Sequence, residues 1–551
     1  MPPTTHLEPQ DPRSRLVLCL HVVFLVALSG YFESLFIHLG INLLDEGWIL
    51  YTAKRLWEGG TLYDDTFFVF PPAHVLPAWI AYGIDPPGLV ASRWIYAGFN
   101  IALCVTLYLL GRRLMKPGYA FLAAALVAIH SPYSHGAHFL FGYRYLVWSI
   151  LALLAFSRRL QTGNPRWLLL AGAWAGIALA FRLTPAFSVS VGIGFGILAS
   201  SRDWRSWLAD GAWYSAGLLA TIGPVLAWLF ADVSPAVVWS EAVQRPVEMT
   251  EMQALGVPDL FLPESWDRWQ IQLASLAAGF RLAPLLYAGY LVFLAVSWAR
   301  DLRQGTMQTS PLLVAVVFFG AVYLGRGFGR ADQGHLDTAL PPVLLLLGHF
   351  LGEIDRWLAR QISPRSASAL MATTSMAVFL AIAGVQRVDQ RFFEKPRDLH
   401  PLEALKGRVK IGFLRGKTDP PVRLIQRFTR PGETILDLSA SPMLYVLSER
   451  NGPGFADTVM PGTFRDPEEE ARFVERLRAD PPALVLEARE PFDRRPENEL
   501  SISMPLLAAW VEDNYATGEA THYYVARPKR RPQLPASGPG SLKEGFATRR
   551  R

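Results

Sequence analysis

The chain has 551 residues, of which 51% are hydrophobic and only 18% are charged, and its mean hydropathy is +0.21. A soluble protein would carry about a quarter charged residues, so the composition excludes an ordinary soluble enzyme. The apolar residues lie in long runs before residue 386, which indicates a membrane part followed by a water-soluble part. The net charge of +6 is accompanied by no nucleic-acid-binding motif and fits topology signals and a basic tail.

The N-terminal segment 1–15 is polar and precedes an apolar run that is too long for a signal-peptide core. We predict a cytoplasmic tail at 1–15 and a retained first span after it. The two cysteines, Cys19 and Cys104, lie inside apolar runs without metal-binding spacing, so the sequence predicts no disulfide framework.

Eleven apolar stretches approach the length of about 20 residues that a membrane-spanning helix needs. They are residues 16–37, 91–111, 118–134, 139–157, 167–183, 185–200, 207–231, 273–298, 310–326, 337–352 and 369–386. Arginine and lysine concentrate in alternate loops, and loops of that kind stay in the cytoplasm. This rule predicts a cytoplasmic N-terminus and outer loops at 38–90 and 232–272. Because the number of spans is odd, the C-terminal part is predicted to be extracytoplasmic.

The predicted fold is therefore an α-helical polytopic membrane protein with a small C-terminal α/β domain. The transmembrane domain covers residues 16–386, the α/β domain 387–528 and a disordered basic tail 529–551. Three strands and two amphipathic helices are predicted in the α/β domain from its apolar patterns. The strands are 434–438, 483–486 and 523–526, and the helices are 467–477 and 504–515.

The first outer loop contains two predicted short helices. Asp45 can cap a helix at Glu46–Glu58, which ends at Gly59-Gly60. A second helix follows Pro71-Pro72. Both are rich in Trp, Tyr and Leu, so they are predicted to lie along the membrane surface.

Ionisable side chains inside spans or at their outer ends are candidates for function, because an unpaired charge in hydrocarbon is costly. Nearly all of them share the outer side of the predicted membrane, which indicates one outward-facing site. They are Asp45, Glu46, Asp64, Asp65, His135, His138, Arg144, Arg182, Arg281, Arg326, Arg330, Asp332, His335 and Asp337.

A motif order in residues 42–77 carries a family resemblance. An acidic residue follows the first span, a short helix ends in Gly-Gly, and a Pro-Pro segment precedes the second span: L-L-D-E-G-W-I-L-Y-T-A-K-R-L-W-E-G-G, then F-P-P-A-H-V-L-P. This order resembles the GT-C class of membrane glycosyltransferases, and most of all its protein O-mannosyltransferase and aminoarabinose-transferase branch. A looser similarity lies in G-R-A-D-Q-G-H-L-D-T-A-L-P-P at 329–342.

The resemblance implies transfer of a sugar from a polyprenyl phosphate to an acceptor hydroxyl. The phosphate is already a good leaving group, so the reaction needs a base for the hydroxyl proton and cationic partners for the phosphate. Asp45 is the predicted base, with Glu46 as the second candidate. The predicted phosphate ligands are Arg144, Arg182, Arg326, Arg330 and His335. The predicted substrate contacts are Trp48, Tyr51 and Asp332.

Each of these residues also has a structural alternative. Asp45 would be only a helix cap, worth about 1 kcal/mol, and Glu46 a first-turn residue that favours the helix dipole. Arg144 and Arg182 would extend to the lipid headgroups. The segment 326–337 would be a salt-bridge network.

Many relatives carry a second acidic residue between the third and fourth spans, where it helps to hold a metal ion. Here that loop reads H-S-P-Y-S-H-G-A-H-F-L-F-G-Y-R-Y and contains neither Asp nor Glu. We therefore predict no cofactor and no metal, with an ion held by Asp45 and Asp332 as the alternative. His135 and His138 are interpreted as interfacial polar residues, because two histidines without a carboxylate make a weak metal site.

The sequence thus predicts an inverting glycosyltransferase of the bacterial cytoplasmic membrane with an outward-facing site. Its partners would be a polyprenyl-phosphate monosaccharide and a hydroxyl of a cell-envelope glycan, lipid or protein. A lipid or solute transporter or flippase is one alternative, but it predicts midplane charges and often an inverted repeat, and the sequence shows neither. The other is a catalytically inactive envelope scaffold, which predicts that Asp45→Asn has no effect.

Overall fold

A computed structural model describes residues 12–129, 143–201, 203–260, 268–393 and 399–530. Up to residue 393 the described chain is mostly helical, and each of the eleven predicted spans overlaps a helix, with residues 130–134 and 139–142 of two spans outside the described residues. The helices are α1 (Pro12–Ser34), α2 (Asp45–Trp57), α3 (Leu76–Ile84), α4 (Leu89–Gly111), α5 (Pro117–Ile129), α6 (Leu146–Thr162), α7 (Arg166–Phe181), α8 (Leu183–Ser200), α9 (Trp204–Asp232), α10 (Pro235–Trp239), α11 (Arg245–Met252), α12 (Arg268–Gln304), α13 (Pro311–Gly329), α14 (Gln333–Gln361) and α15 (Pro364–Phe393).

Six of these helices are long and apolar enough to cross a membrane, namely α1, α4, α8, α9, α12 and α13. The shorter apolar helices α5 and α7 pack against them. Large apolar side chains on α1, α9 and α12 are exposed, as expected for helices that face lipid. The predicted fold class, an α-helical polytopic membrane protein, is confirmed.

The two short helices of the first outer loop lie in different environments. Residues 46–54 of α2 are all buried, so this helix offers no Trp- and Tyr-rich face to lipid, and its position along the membrane surface stays a prediction. The physical reason is that Tyr51 stacks on Tyr445 of the α/β domain and Trp48 stacks on Phe67 of the same loop. By contrast, α3 exposes Leu76, Trp79, Ile80 and Ile84, which gives it the apolar face that an interfacial helix needs.

The α/β domain contains two small sheets. Its elements are β1 (His400–Pro401), β2 (Lys410–Ile411), α16 (Asp419–Phe428), β3 (Ile435–Leu438), α17 (Met443–Ser448), α18 (Pro467–Ala479), β4 (Leu484–Ala488), α19 (Leu500–Ser503), α20 (Pro505–Asn514) and β5 (Tyr524–Pro528). The main sheet has the order β3-β4-β5, with β3 parallel to β4 and β5 antiparallel to it. The strands and helices predicted from apolar patterns are present, and the helices α18 and α20 cover one face of the sheet.

The α/β domain is held directly on the first outer loop. A Cβ atom at Gly47 would lie 2.2 Å from the backbone nitrogen of Met443, so only glycine permits this approach of α2 to α17. The Met443 N–H donates to the carbonyl of Leu43 at 3.0 Å, and the Lys410 N–H donates to the carbonyl of His38 at 2.8 Å. These contacts place the domain over the segment that leads into Asp45.

The second outer loop forms another contact with the α/β domain. Arg245, at the start of α11, is fully buried and donates to Glu469 at 2.7 Å and to the carbonyl of Thr463 at 2.6 Å. A π-helical turn, Ser240–Gln244, precedes it and brings Glu241 within hydrogen-bond distance of the same guanidinium. The domain is therefore attached to both outer loops.

Candidate active site

Asp45 is the first residue of α2, and the predicted cap position belongs to Leu44 instead. The side chain of Asn42 fixes it twice: its amide donates to Asp45 Oδ2 at 2.9 Å, and its Oδ1 accepts from the Asp45 N–H at 2.7 Å. Glu46 Oε2 accepts from the Asn42 N–H at 3.0 Å, which completes an arrangement similar to a capping box. Asp45 remains half-buried, with its carboxylate held in one orientation.

Glu46 lies beside Asp45 but is fully buried against Arg93 of α4. Arg93 Nε and Nη2 donate to the two carboxylate oxygens at 2.8 and 2.7 Å. The remaining donors of this guanidinium bind the carbonyls of Ile37, Leu39 and Gly40, so all five N–H groups have acceptors. The sequence predicted Glu46 as the second candidate base, but the structure assigns its carboxylate to a bidentate ion pair that orders the loop before Asp45.

Arg182 lies near Asp45 because the helical segment breaks between α7 and α8. Arg182 is extended, with φ −163° and ψ 134°. Pro185 explains the break, since a proline in a continuous helix would clash with the carbonyl four residues earlier. The guanidinium of Arg182 lies 5.0 Å from the ring of Phe70, and it is within electrostatic range of Arg326 and Asp45.

Arg326 lies in the last turn of α13 and within electrostatic range of Arg182. Its Nη1 lies 3.5 Å from the hydroxyl of Tyr323, and its charge acts on Arg182. The structure therefore brings together Asp45 and two of the predicted phosphate ligands, Arg182 and Arg326. These three side chains come from segments that are about 140 residues apart in the chain.

His74 lies under this group and was not among the predicted site residues. Its ring is fully buried, stacks on Phe70 at 4.5 Å and lies 4.7 Å from the ring of Tyr145. Its Nδ1 lies 3.1 Å from the carbonyl of Phe181. In a continuous helix this carbonyl would accept from the N–H of residue 185, but Pro185 has no N–H. Burial, together with the nearby charges of Arg182 and Arg326, lowers the pKa of His74 well below its ordinary value, so the ring is neutral. Its position in the Pro-Pro segment was the only sequence signal.

Arg144 was also predicted to bind phosphate, but it is buried against Glu33 at the end of α1. Arg144 Nη2 donates to the two oxygens of Glu33 at 3.2 and 3.1 Å. Asn100 of α4 donates to Glu33 at 2.7 Å. Glu33 was not among the predicted site residues, although an acidic residue in the last turn of a span indicates a buried partner for an arginine.

Arg330, Asp332 and His335 form a separate network that faces the α/β domain. Arg330 donates to Asp332 at 2.8 Å and to the two oxygens of Asp493 at 2.9 and 3.1 Å. Asp332 caps α14 by accepting from the His335 N–H at 2.9 Å. Burial opposes ionisation of Asp332, but hydrogen bonds from His335 and Arg330 outweigh it and hold its pKa well below the ordinary value. These contacts correspond to the salt-bridge alternative rather than to the predicted binding of phosphate and substrate.

Trp48 and Tyr51, the other predicted substrate contacts, lie in the interior. Trp48 stacks on Phe67 with 5.4 Å between ring centroids and donates its indole N–H to the Phe67 carbonyl. Tyr51 stacks on Tyr445 of the α/β domain at 4.6 Å, and its hydroxyl accepts from the Gly452 N–H at 2.6 Å. Both rings are buried, so their observed role is to pack α2 against its surroundings.

Within the described ranges, no group of three or more His, Cys, Asp or Glu side chains is placed to hold a metal ion. The alternative ligand Asp332 already accepts from His335 and Arg330. His135, His138 and most of the loop that lacks the second acid lie outside the described residues. The absence of a metal stays a prediction.

Comparisons with known proteins bear on the fold of this chain. The family model for dolichyl-phosphate-mannose-protein mannosyltransferase matches residues 71–228. No curated protein matches the sequence. The apo structure of ArnT from Cupriavidus metallidurans is similar with a TM-score of 0.55 and 13% identity, covering 92% of this chain and 97% of that one.

The apo oligosaccharyltransferase of Archaeoglobus fulgidus is similar with a TM-score of 0.53 and 13% identity, covering 92% of this chain and 74% of that one. The same enzyme tethered to an acceptor peptide gives a TM-score of 0.51 at 12% identity, with the same coverage. Both proteins are GT-C glycosyltransferases. The predicted resemblance is thus confirmed: this chain has the GT-C fold, and its residues 71–228 match the protein mannosyltransferase family model.

Proposed function

We propose that this protein transfers a monosaccharide from a polyprenyl-phosphate donor to a hydroxyl group of a cell-envelope acceptor, with Asp45 as the base. The observation that carries the proposal is the convergence of Asp45 with Arg182 and Arg326. A carboxylate and two guanidinium groups match the two needs of the reaction, a proton acceptor and partners for a departing phosphate. The description of the matching family, with a lipid-phosphate-linked sugar, supports the same donor class.

In the proposed reaction, the oxygen of the acceptor hydroxyl attacks the anomeric carbon of the donor. The bond from that carbon to the phosphate oxygen breaks, and the phosphate leaves with the electron pair. The hydroxyl proton passes to the carboxylate of Asp45. Attack opposite the leaving group inverts the anomeric configuration.

The two arginines are arranged for an anion. Arg182 and Arg326 carry like charges within electrostatic range of each other, and Asp45 carries an opposite charge near Arg182. A phosphate bound between them would relieve this repulsion and accept hydrogen bonds from both guanidinium groups. The apolar face of α3 supports access for a lipid-linked donor from the membrane surface.

Asp45 is positioned by residues that do not need to touch substrate. Asn42 fixes its carboxylate directly, and the Glu46–Arg93 pair fixes the loop that carries Asn42. We assign Glu46 and Arg93 this positioning role. It explains why two adjacent carboxylates, Asp45 and Glu46, have such different surroundings.

The test is transfer by the purified protein in liposomes, with radiolabelled undecaprenyl-phosphate mannose as donor and extracted cell-envelope material as acceptor. Asp45→Asn is expected to lower the transfer rate by about 10²–10⁴-fold, the usual contribution of a general base. The control is Asp64→Asn, because Asp64 is an exposed acid in the same outer loop. It is expected to retain the wild-type rate, and both variants should insert into membranes normally.

Retention of transfer by Asp45→Asn would refute Asp45 as the base. Absence of transfer by the wild-type protein with mannose-, glucose- and pentose-linked donors would refute the glycosyltransferase proposal itself. Movement of an intact labelled lipid across the bilayer, unaffected by Asp45→Asn, would favour the flippase alternative.

A further inference from the structure

The α/β domain carries a cleft of about 1040 Å³ at the carboxyl ends of β3 and β4. Its walls are residues 438–441 at the end of β3, residues 487–494 at the end of β4, α19, and residues 508–512 of α20. The carboxyl ends of adjacent parallel strands are the usual place for ligands in open α/β sheets. The volume is at the upper end of the range for small-molecule sites, about 300–1,000 Å³, and suits a ligand of several sugar rings.

Part of the cleft wall belongs to the segment that leads into the candidate base. Residues 41–44 of the first outer loop form part of its wall. One of them is Asn42, whose side chain is 2.9 Å from Asp45 Oδ2. At the rim, Asp493 lines the cleft and binds Arg330 of the transmembrane domain. A ligand that fills the cleft therefore contacts the segment 41–44, in which Asn42 holds the carboxylate of Asp45.

The charges of the lining nearly cancel. Four basic and five acidic side chains line the cleft. Arg527 is bound to Glu487 at 2.5 Å, and Arg494 to Glu490 at 2.9 Å. A polyanion would find no excess of positive charge here, because the acidic side chains of the lining outnumber the basic ones. Paired cations and anions instead offer donors and acceptors side by side, which suits hydroxyl groups because each hydroxyl both donates and accepts.

Aromatic rings and hydroxyls occur beside these pairs. Tyr523 is half-buried, with the exposed ring of His522 4.5 Å away and Lys417 Nζ 4.8 Å from its ring centroid. Ser501 adds an exposed hydroxyl on α19. An aromatic face next to polar groups binds the C–H face of a sugar ring while its hydroxyls are hydrogen-bonded. The cleft crosses strand ends and not a strand edge, so an extended peptide could not add to the sheet.

We infer that this cleft binds a neutral glycan chain of the acceptor and presents the terminal hydroxyl of that chain to Asp45. The inference rests on the proposed function for its biological meaning, but the binding itself can be measured without catalysis. Of the three acceptor classes that the sequence left open, a glycan, a lipid or a protein, this inference selects the glycan.

The experiment measures binding of three neutral linear heptasaccharides, made of mannose, glucose or galactose, to the full-length protein in nanodiscs by calorimetry. At least one is expected to bind, and Ser501→Trp and Tyr523→Ala are each expected to weaken that binding by about tenfold or more. Ile502→Trp is the matched control, because Ile502 is 59% exposed on the same short helix and does not line the cleft. It is expected to bind as the wild type does.

Equal binding by Ser501→Trp and Ile502→Trp would overturn the inference, as would binding of none of the three heptasaccharides. Preferential binding of a hydrophilic heptapeptide or of a phosphorylated heptasaccharide would overturn it in favour of another acceptor class. Glycan binding without any sugar transfer would refute the proposed function alone. Transfer with no selective glycan binding would refute this inference alone.

Discussion

Two regions at the ends of helices near α2 hold arginine in opposite ways. In the first, Arg93 and Arg144 are buried against Glu46 and Glu33, so each charge is matched by a carboxylate. In the second, Arg182 and Arg326 lie within electrostatic range of each other, and Asp45 acts on Arg182. The first arrangement matches each guanidinium with one carboxylate, whereas the second places two like charges near each other. We therefore expect the first two arginines to hold the scaffold and the second two to bind phosphate.

The largest effect is expected from breaking the first region. Glu46→Gln leaves Arg93 buried beside a neutral amide, and removing one partner of a buried ion pair typically costs about 3–5 kcal/mol. We expect a large fall in the thermal midpoint in detergent. Loss of activity should accompany it, because the loop before Asp45 depends on Arg93.

The control for this prediction is Glu403→Gln, which removes one partner of an exposed pair with Arg423 and should cost less than about 1 kcal/mol. The double variant Glu46→Leu/Arg93→Met should recover part of the lost stability, since it leaves no buried charge. Equal thermal midpoints for Glu46→Gln and Glu403→Gln would show that the buried pair does not hold the loop.

A smaller effect, on function and not on stability, is expected in the second region. Arg326→Gln should lower transfer by about 10²-fold, the effect of removing one charge-stabilising donor. The thermal midpoint of the free protein should not fall, because the substitution removes a repulsion with Arg182. Added undecaprenyl phosphate should raise the midpoint of the wild type more than that of Arg326→Gln.

The effect of undecaprenyl phosphate on the thermal midpoint of Arg330→Gln tests the same assignment of arginines to scaffold and to phosphate. Arg330 was predicted to bind phosphate, but its donors are directed to Asp332, Asp493 and the carbonyl of Gln253. This variant should keep the stabilisation by undecaprenyl phosphate. If it loses that stabilisation while Arg326→Gln keeps it, the assignment of the two regions is wrong.

The sequence predicted the helical fold, the α/β strands and the place of Asp45 at the start of a short helix because these depend on local signals, namely apolar runs and the motif order of residues 42–77. It did not separate Arg144 from Arg182, because both are arginines at an outer helix end. The difference lies in the partner: Glu33 is 111 residues from Arg144 in the chain and meets it only after the spans pack. In the same way, nothing local indicated that α2 would be covered by the α/β domain.

The smallest effect is expected where the transmembrane part meets the α/β domain through the Arg330–Asp493 pair. Their side chains are 20% and 25% exposed, so solvent screens the interaction and the pair should contribute about 1 kcal/mol or less. A double-mutant cycle of Arg330→Gln and Asp493→Asn, measured by thermal unfolding, should give a coupling energy of that size. The buried contact of Arg245 with Glu469 is not screened in this way, so the same cycle there should give a larger coupling. If the two coupling energies are equal, burial does not decide how firmly the α/β domain is held over Asp45. A larger coupling energy at Arg245 would show that the loop carrying Arg245 contributes more than Arg330 to holding the α/β domain in place.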